Sequence, residues 1–155
     1  MRVLIYTEDT TESAALARLV SYAGHDPVVV PDAARARHAV VSGVVMVAVL
    51  DLERHEDETI ELVRLANADG RAVATLLVST APEARLIIEC HRLGATDFIL
   101  RPLSRGEFRG IFDRMCDRLL PPGPQTPPPL SEGLGLAAQS TLPGVPRMAP
   151  PEPNA

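Results

Sequence analysis

The chain has 155 residues, a formal net charge of −5 and two cysteines, a length that suits one domain with an appendage better than two domains. Eleven of its 15 prolines fall after position 120, which divides the chain into a domain, residues 1–120, and a Pro-rich tail, residues 121–155. The domain carries 14 Arg against 18 acidic residues and no Lys, a balance that argues against a nucleic-acid partner. No apolar run reaches the roughly 18 residues that a membrane span needs. The N-terminus, MRVLIYTED, has neither the apolar stretch nor the small-residue cleavage site of a signal peptide. Cys90 and Cys116 make no disulfide framework. The expectation is a soluble cytoplasmic protein with no membrane partner.

In chain order, Arg2–Tyr6 is a short apolar run that reads as a buried strand. Asp9 precedes Glu12 by three residues, an Asp-based capping box. Leu16, Leu19, Val20 and Ala23 follow with helical spacing, and Gly24 stops the helix. Pro27–Val30 reads as the second strand. Asp32 caps a helix bearing Ala36, Ala39 and Val40 that ends at Gly43. Val44–Leu50 is continuously apolar, as in a parallel strand covered on both faces. Glu58–Ala68 is predicted helical with Ile60 and Val63 inward, and Ala72–Val78 is the fourth strand. A helix near Pro82–Leu93 places Ala84, Ile87, Ile88 and His91 on one face, and Gly94 ends it. Asp97–Leu100 is a short fifth strand. Ser104 and Glu107 form a capping box for a last helix lined by Phe108, Ile111, Phe112, Met115 and Leu119.

Strands alternating with helices imply an α/β fold: a doubly wound, five-stranded parallel sheet with helices on both faces. Its expected order is 2-1-3-4-5, the flavodoxin-like arrangement. From Pro121 on there is no hydrophobic period, and PPGPQTPPP favours extended polyproline II. The tail is therefore expected to be disordered.

Open α/β sheets build their sites at the carboxyl ends of the strands. Those ends read Thr7-Glu8-Asp9, Asp51, Ser79-Thr80 and Arg101-Pro102. Carboxylates from two strands suit a hard cation such as Mg²⁺. A hydroxyl and a cation suit phosphoryl oxygens, and an aspartate can accept a phosphoryl group as an acyl phosphate.

In these residues, over roughly positions 1–120, the sequence resembles the receiver domain of bacterial response regulators, the CheY-like family. Glu8 precedes Gly24 by 16 residues, and Ser79 precedes Phe98 by 19 and Arg101 by 22, spacings that match the family. Gly94-Ala95 with Asp97-Phe98 is similar to a family segment. The resemblance implies that Asp51 is a phospho-acceptor, that Ser79 and Phe98 are the switch pair, and that Ser79 and Arg101 contact phosphoryl oxygens. It implies a Mg²⁺ site made by Glu8, Asp51 and the Glu53 backbone carbonyl, and a cis Arg101–Pro102 bond. The departures are Thr7 in place of the first of two adjacent acids, Arg101 in place of a lysine, and a loop after Asp51 (Glu53–Glu58) with neither Pro nor Gly. They imply a weakened Mg²⁺ site.

Two functions follow from the resemblance, neither of them an enzyme's. One is a single-domain response regulator in a two-component phosphorelay. It would take a phosphoryl group on Asp51 from a histidine kinase or histidine phosphotransferase. It would then signal to a downstream protein through the face made by helix 4, strand 5 and helix 5. The other is a phosphorylation-independent pseudo-receiver, a protein-interaction module.

Overall fold

The structure is a computed structural model and describes residues 1–119; the tail expected at 121–155 lies outside the described residues. Ten elements alternate: β1 (Arg2–Tyr6), α1 (Thr10–Tyr22), β2 (Asp26–Val30), α2 (Ala33–Val41), β3 (Val47–Asp51), α3 (Glu56–Ala66), β4 (Ala74–Ser79), α4 (Ala84–Arg92), β5 (Asp97–Leu100) and α5 (Arg105–Leu119). All strand pairs are parallel and the order is β2-β1-β3-β4-β5, as the alternation predicts. None of the described helices is long and apolar enough to cross a membrane.

Successive strand residues serve opposite faces. Val3, Ile5, Val47, Val49, Leu76 and Val78 meet α1 and α5 through Leu16, Val20, Phe108 and Phe112. Leu4, Tyr6, Ala48, Leu50 and Leu77 meet α2, α3 and α4 through Ala36, Val40, Leu62, Val63, Leu86 and Cys90. Covering the sheet twice requires every residue of β3 and β4 to be buried, and every one is. The order reverses at β1, which pairs with both β2 and β3. The crevice of such a sheet opens above the carboxyl ends at that reversal, where Thr7 and Asp51 sit.

Four local expectations change. β3 starts at Val47, not Val44; Val44 and Met46 are exposed in the crossover, and only Val45 between them enters the core. The core stripe of α4 is Leu86 and Cys90, not the face bearing Ile87 and Ile88, which are exposed. This short helix touches the sheet along one line only, and the neighbouring line at helical spacing is left outside. The capping box of α1 is half formed. Asp9 accepts the N–H groups of Thr11 and Glu12, but the Glu12 carboxylate reaches Arg101 instead of returning to Asp9. The box expected at α5 is likewise half formed: Ser104 accepts the Glu107 N–H, with no return bond to the Glu107 carboxylate.

Gly94 ends the α4 turn at φ +100°, and a Cβ there would stand 2.6 Å from the Asn67 side chain. Position and conformation both demand glycine. On the other face, Phe108 and Phe112 are fully buried and stack at 5.3 Å. Phe112→Ala should therefore lower unfolding free energy by about 3–5 kcal/mol, measured by urea denaturation, and an effect under about 1 kcal/mol would show that this face repacks.

Candidate functional site

Asp51 closes β3, and its side chain is 5% exposed. Its oxygens are taken from within the chain. The Glu53 N–H donates to Oδ1 at 3.0 Å, the Thr7 hydroxyl donates to Oδ2 at 3.1 Å, and the Arg101 guanidinium lies 3.5 Å from Oδ2. The Asp51 backbone carbonyl accepts the Thr59 hydroxyl at 2.8 Å, which ties the first turn of α3 to the strand end. Thr7 also accepts the Asp9 N–H at 3.2 Å. Its one hydroxyl thus joins the β1–α1 turn to β3.

Arg101 follows β5 and is held where its own N–H donates to the Ser79 carbonyl at 2.9 Å. The Arg101–Pro102 bond is cis. The guanidinium meets three carboxylates. Nε and Nη2 stand 3.0 and 2.9 Å from Glu12 Oε1, Nη1 stands 3.2 Å from Glu53 Oε2, and Nη2 faces Asp51. The other Glu53 oxygen accepts the Thr80 N–H. One side chain from β5 therefore links α1, the β3–α3 loop, and through Glu53 the β4–α4 loop. A planar fork with five donors can do this; a lysine ammonium is a point charge. Burial pulls the guanidinium's pKa down, while the hydrogen bond to Glu12 and the Asp51, Glu12 and Glu53 charges raise it, and the net shift is upward.

Of the expected site residues, the structure brings together Asp51, Arg101 and Glu53. Ser79 is buried at the end of β4 beside Leu100 of β5. Phe98 is half-buried against the α3–α4 side of the core. Glu8 is turned elsewhere: its carboxylate pairs with His55 Nε2 at 3.1 Å, and His55 in turn stands 6.0 Å from the Tyr6 ring. Two residues gain parts that sequence reasoning did not assign them. Glu12 appears there only as a capping residue, and Glu53 only through its carbonyl. The readable signal is a long forked cation at the strand-5 end opposite more acids than a helix start needs.

A divalent ion of the Mg²⁺ kind requires several oxygen ligands converging on one point. Among the described residues no three His, Cys, Asp or Glu side chains are gathered to do so. Thr7 contributes a neutral hydroxyl, and it is already donated to Asp51. The Glu12 and Glu53 carboxylates are directed onto Arg101. The donor set as arranged does not fit Mg²⁺.

No protein-family model and no curated protein matches the sequence. Solved structures do match in fold. A pilus assembly-related protein from Burkholderia pseudomallei is 19% identical with a TM-score of 0.69, over 78% of this chain and 92% of that one. A response regulator receiver protein from Pseudoalteromonas atlantica is 17% identical with a TM-score of 0.67, over 77% and 100%. A receiver protein from Pseudomonas putida is 23% identical with a TM-score of 0.64, over 73% and 95%.

The Glu53 carboxyl titrates below the usual glutamate range because it accepts hydrogen bonds from Thr80 and faces Arg101. A pKa lowered by folding contributes stability above the unfolded-state value and loses it as pH falls through the folded-state value. Unfolding free energy should thus decline as pH falls below the ordinary glutamate range, and Glu53→Gln should flatten that decline. Urea titrations of both proteins across acidic pH check this; parallel curves would mean that Glu53 is free in solution. At identities of this order the likeness is one of fold, and the described residues have the fold of a response-regulator receiver domain.

Proposed function

We propose that this chain is a receiver-type signalling module that works by contact with another protein and does not depend on phosphorylation of Asp51. The observation that carries this reading is the state of the Asp51 carboxylate. An acceptor oxygen must be turned toward an incoming phosphorus; a carboxylate hydrogen-bonded on each oxygen still has free lone pairs, but Thr7, Glu53 and Arg101 hold the Asp51 carboxylate in one orientation within the chain. Receiver domains in general use Mg²⁺ at their acidic site. Here Glu8, the carboxylate expected to share that ion with Asp51, lies beside His55 Nε2 instead.

The contact surface we propose is the α4–β5–α5 side. Ile88 and Leu100 are half exposed there, at 52% and 50%, with Ile87 beside them at 37%. Exposed aliphatic side chains on α4 and β5 would gain from cover by a protein partner. None of these residues forms catalytic machinery, so an enzymatic role is not proposed.

A second reading is favoured by a specific juxtaposition. Asp51, the Ser79 strand end and Arg101 lie on one rim, in the order a phospho-acceptor, a hydroxyl and a cation would need. On that reading a histidine kinase or histidine phosphotransferase supplies the phosphoryl group. Ser79 and Arg101 then bind its oxygens, and Ser79 with Phe98 shifts the same α4–β5–α5 face.

One experiment separates the two. Amide spectra of the full chain are recorded with Mg²⁺ and beryllofluoride, a phosphoryl mimic. The phosphorylation-independent module predicts no specific shift at Asp51, Ser79 or Phe98. Shifts at all three that vanish in Asp51→Asn would establish the phospho-acceptor instead.

A further inference from the structure

We propose that the Arg101 guanidinium is the resident cation of this rim: it occupies the carboxylate site that a divalent ion would otherwise take, and its removal opens that site to Mg²⁺. The proposal rests on the reading of the Asp51 rim given above and goes beyond it.

The geometry is that of a filled site. Three carboxylates from three segments, Glu12 of α1, Asp51 of β3 and Glu53 of the following loop, lie within 2.9 to 3.5 Å of guanidinium nitrogens. The Arg101 and Glu12 side chains are 19% and 23% exposed, so their attraction is less screened than that of a surface pair. Thr80 fixes the second Glu53 oxygen, which directs the first at Arg101.

A tethered cation has two advantages over a free one. Its effective concentration at the site is set by the fold and not by the solution. Its weakly hydrated guanidinium gives up less water than Mg²⁺, which sheds its shell reluctantly. The two cations cannot share these oxygens, because each would lie within contact distance of the other. The replacement of the family's first acid by Thr7 fits the same logic. With a monovalent cation in place, one fewer carboxylate is needed, and a hydroxyl donating to Asp51 Oδ2 suits a carboxylate that shares its charge with one guanidinium.

Deleting the guanidinium would leave Glu12, Asp51 and Glu53 without the cation they now face. As placed they do not converge on one point, so a smaller ion would draw the two glutamate side chains inward.

The test is a titration of the full chain with MgCl₂ against KCl at matched ionic strength, read on the backbone amide shifts of Glu12, Asp51, Glu53 and Thr80. In the wild type no saturable Mg²⁺-specific shift is expected. Arg101→Met keeps the apolar stem and removes the charge. It is expected to gain a saturable shift at these amides, with apparent affinity at least about tenfold above the wild type's. Adding Glu12→Gln and Glu53→Gln to that variant should remove the gain. A saturable response in the wild type overturns the proposal. So does a folded Arg101→Met that stays silent, and Arg101→Gln carries the same expectation should the methionine variant fail to fold. A wild-type Mg²⁺ response with no response to beryllofluoride would overturn the resident cation alone. A beryllofluoride response lost in Asp51→Asn would overturn the phosphorylation-independent reading.

Discussion

The rim of this molecule is organised by one ion-pair cluster, the Arg101 guanidinium among Glu12, Asp51 and Glu53. A carboxylate as enclosed as Asp51 is costly unless it is paired and hydrogen-bonded. Three groups compensate it: the Glu53 N–H, the Thr7 hydroxyl and the guanidinium. Each belongs to a different segment. Satisfying one buried charge therefore fixes the β1–α1 turn, the β3–α3 loop and the end of β5 relative to one another, while the Thr59 hydroxyl separately ties the start of α3 to the Asp51 backbone carbonyl.

That constraint connects the fold to its use. The doubly covered sheet is held by apolar burial on both faces, and its topology leaves one crevice at the β1/β3 reversal. What stands in the crevice decides whether the loops above it are free to move on binding a small ligand. In a rim that gathers acids around an exchangeable ion, charge enters and leaves and the loops follow. In this rim the cation is part of the chain. On the proposed reading the loops keep a fixed counter-charge, and the half-exposed Ile88 and Leu100 would serve as a contact surface that needs no phosphoryl group.

Much of this is legible in the sequence, and the reasons are physical. Strand alternation, the glycines after α1, α2 and α4, and the apolar run that ends at Leu50 point to a parallel sheet, because a strand covered on both faces is apolar along its length. Asp51 and Arg101 stand out because strand ends are where such sheets carry chemistry. The errors lie where pattern and burial part company. Val44 and Met46 are apolar yet exposed, and α4 has two candidate stripes of which the sheet covers the one with Leu86 and Cys90. Side-chain destinations are the least readable. Glu8 and Glu12 are four residues apart at the start of one helix. Their partners, His55 and Arg101, come from different loops, and only the tertiary structure decides which carboxylate meets which cation.

The coupling between Arg101 and Asp51 can be measured directly. A double-mutant cycle with Arg101→Met and Asp51→Asn is read by urea denaturation of the wild type, the two single variants and the double variant. The structure predicts an interaction energy of about 1–3 kcal/mol, with each single change costing more in the presence of the other partner than in its absence. Additive effects, within about 0.5 kcal/mol, would contradict it: Arg101 would then be a solvated surface cation, and the crevice would be open.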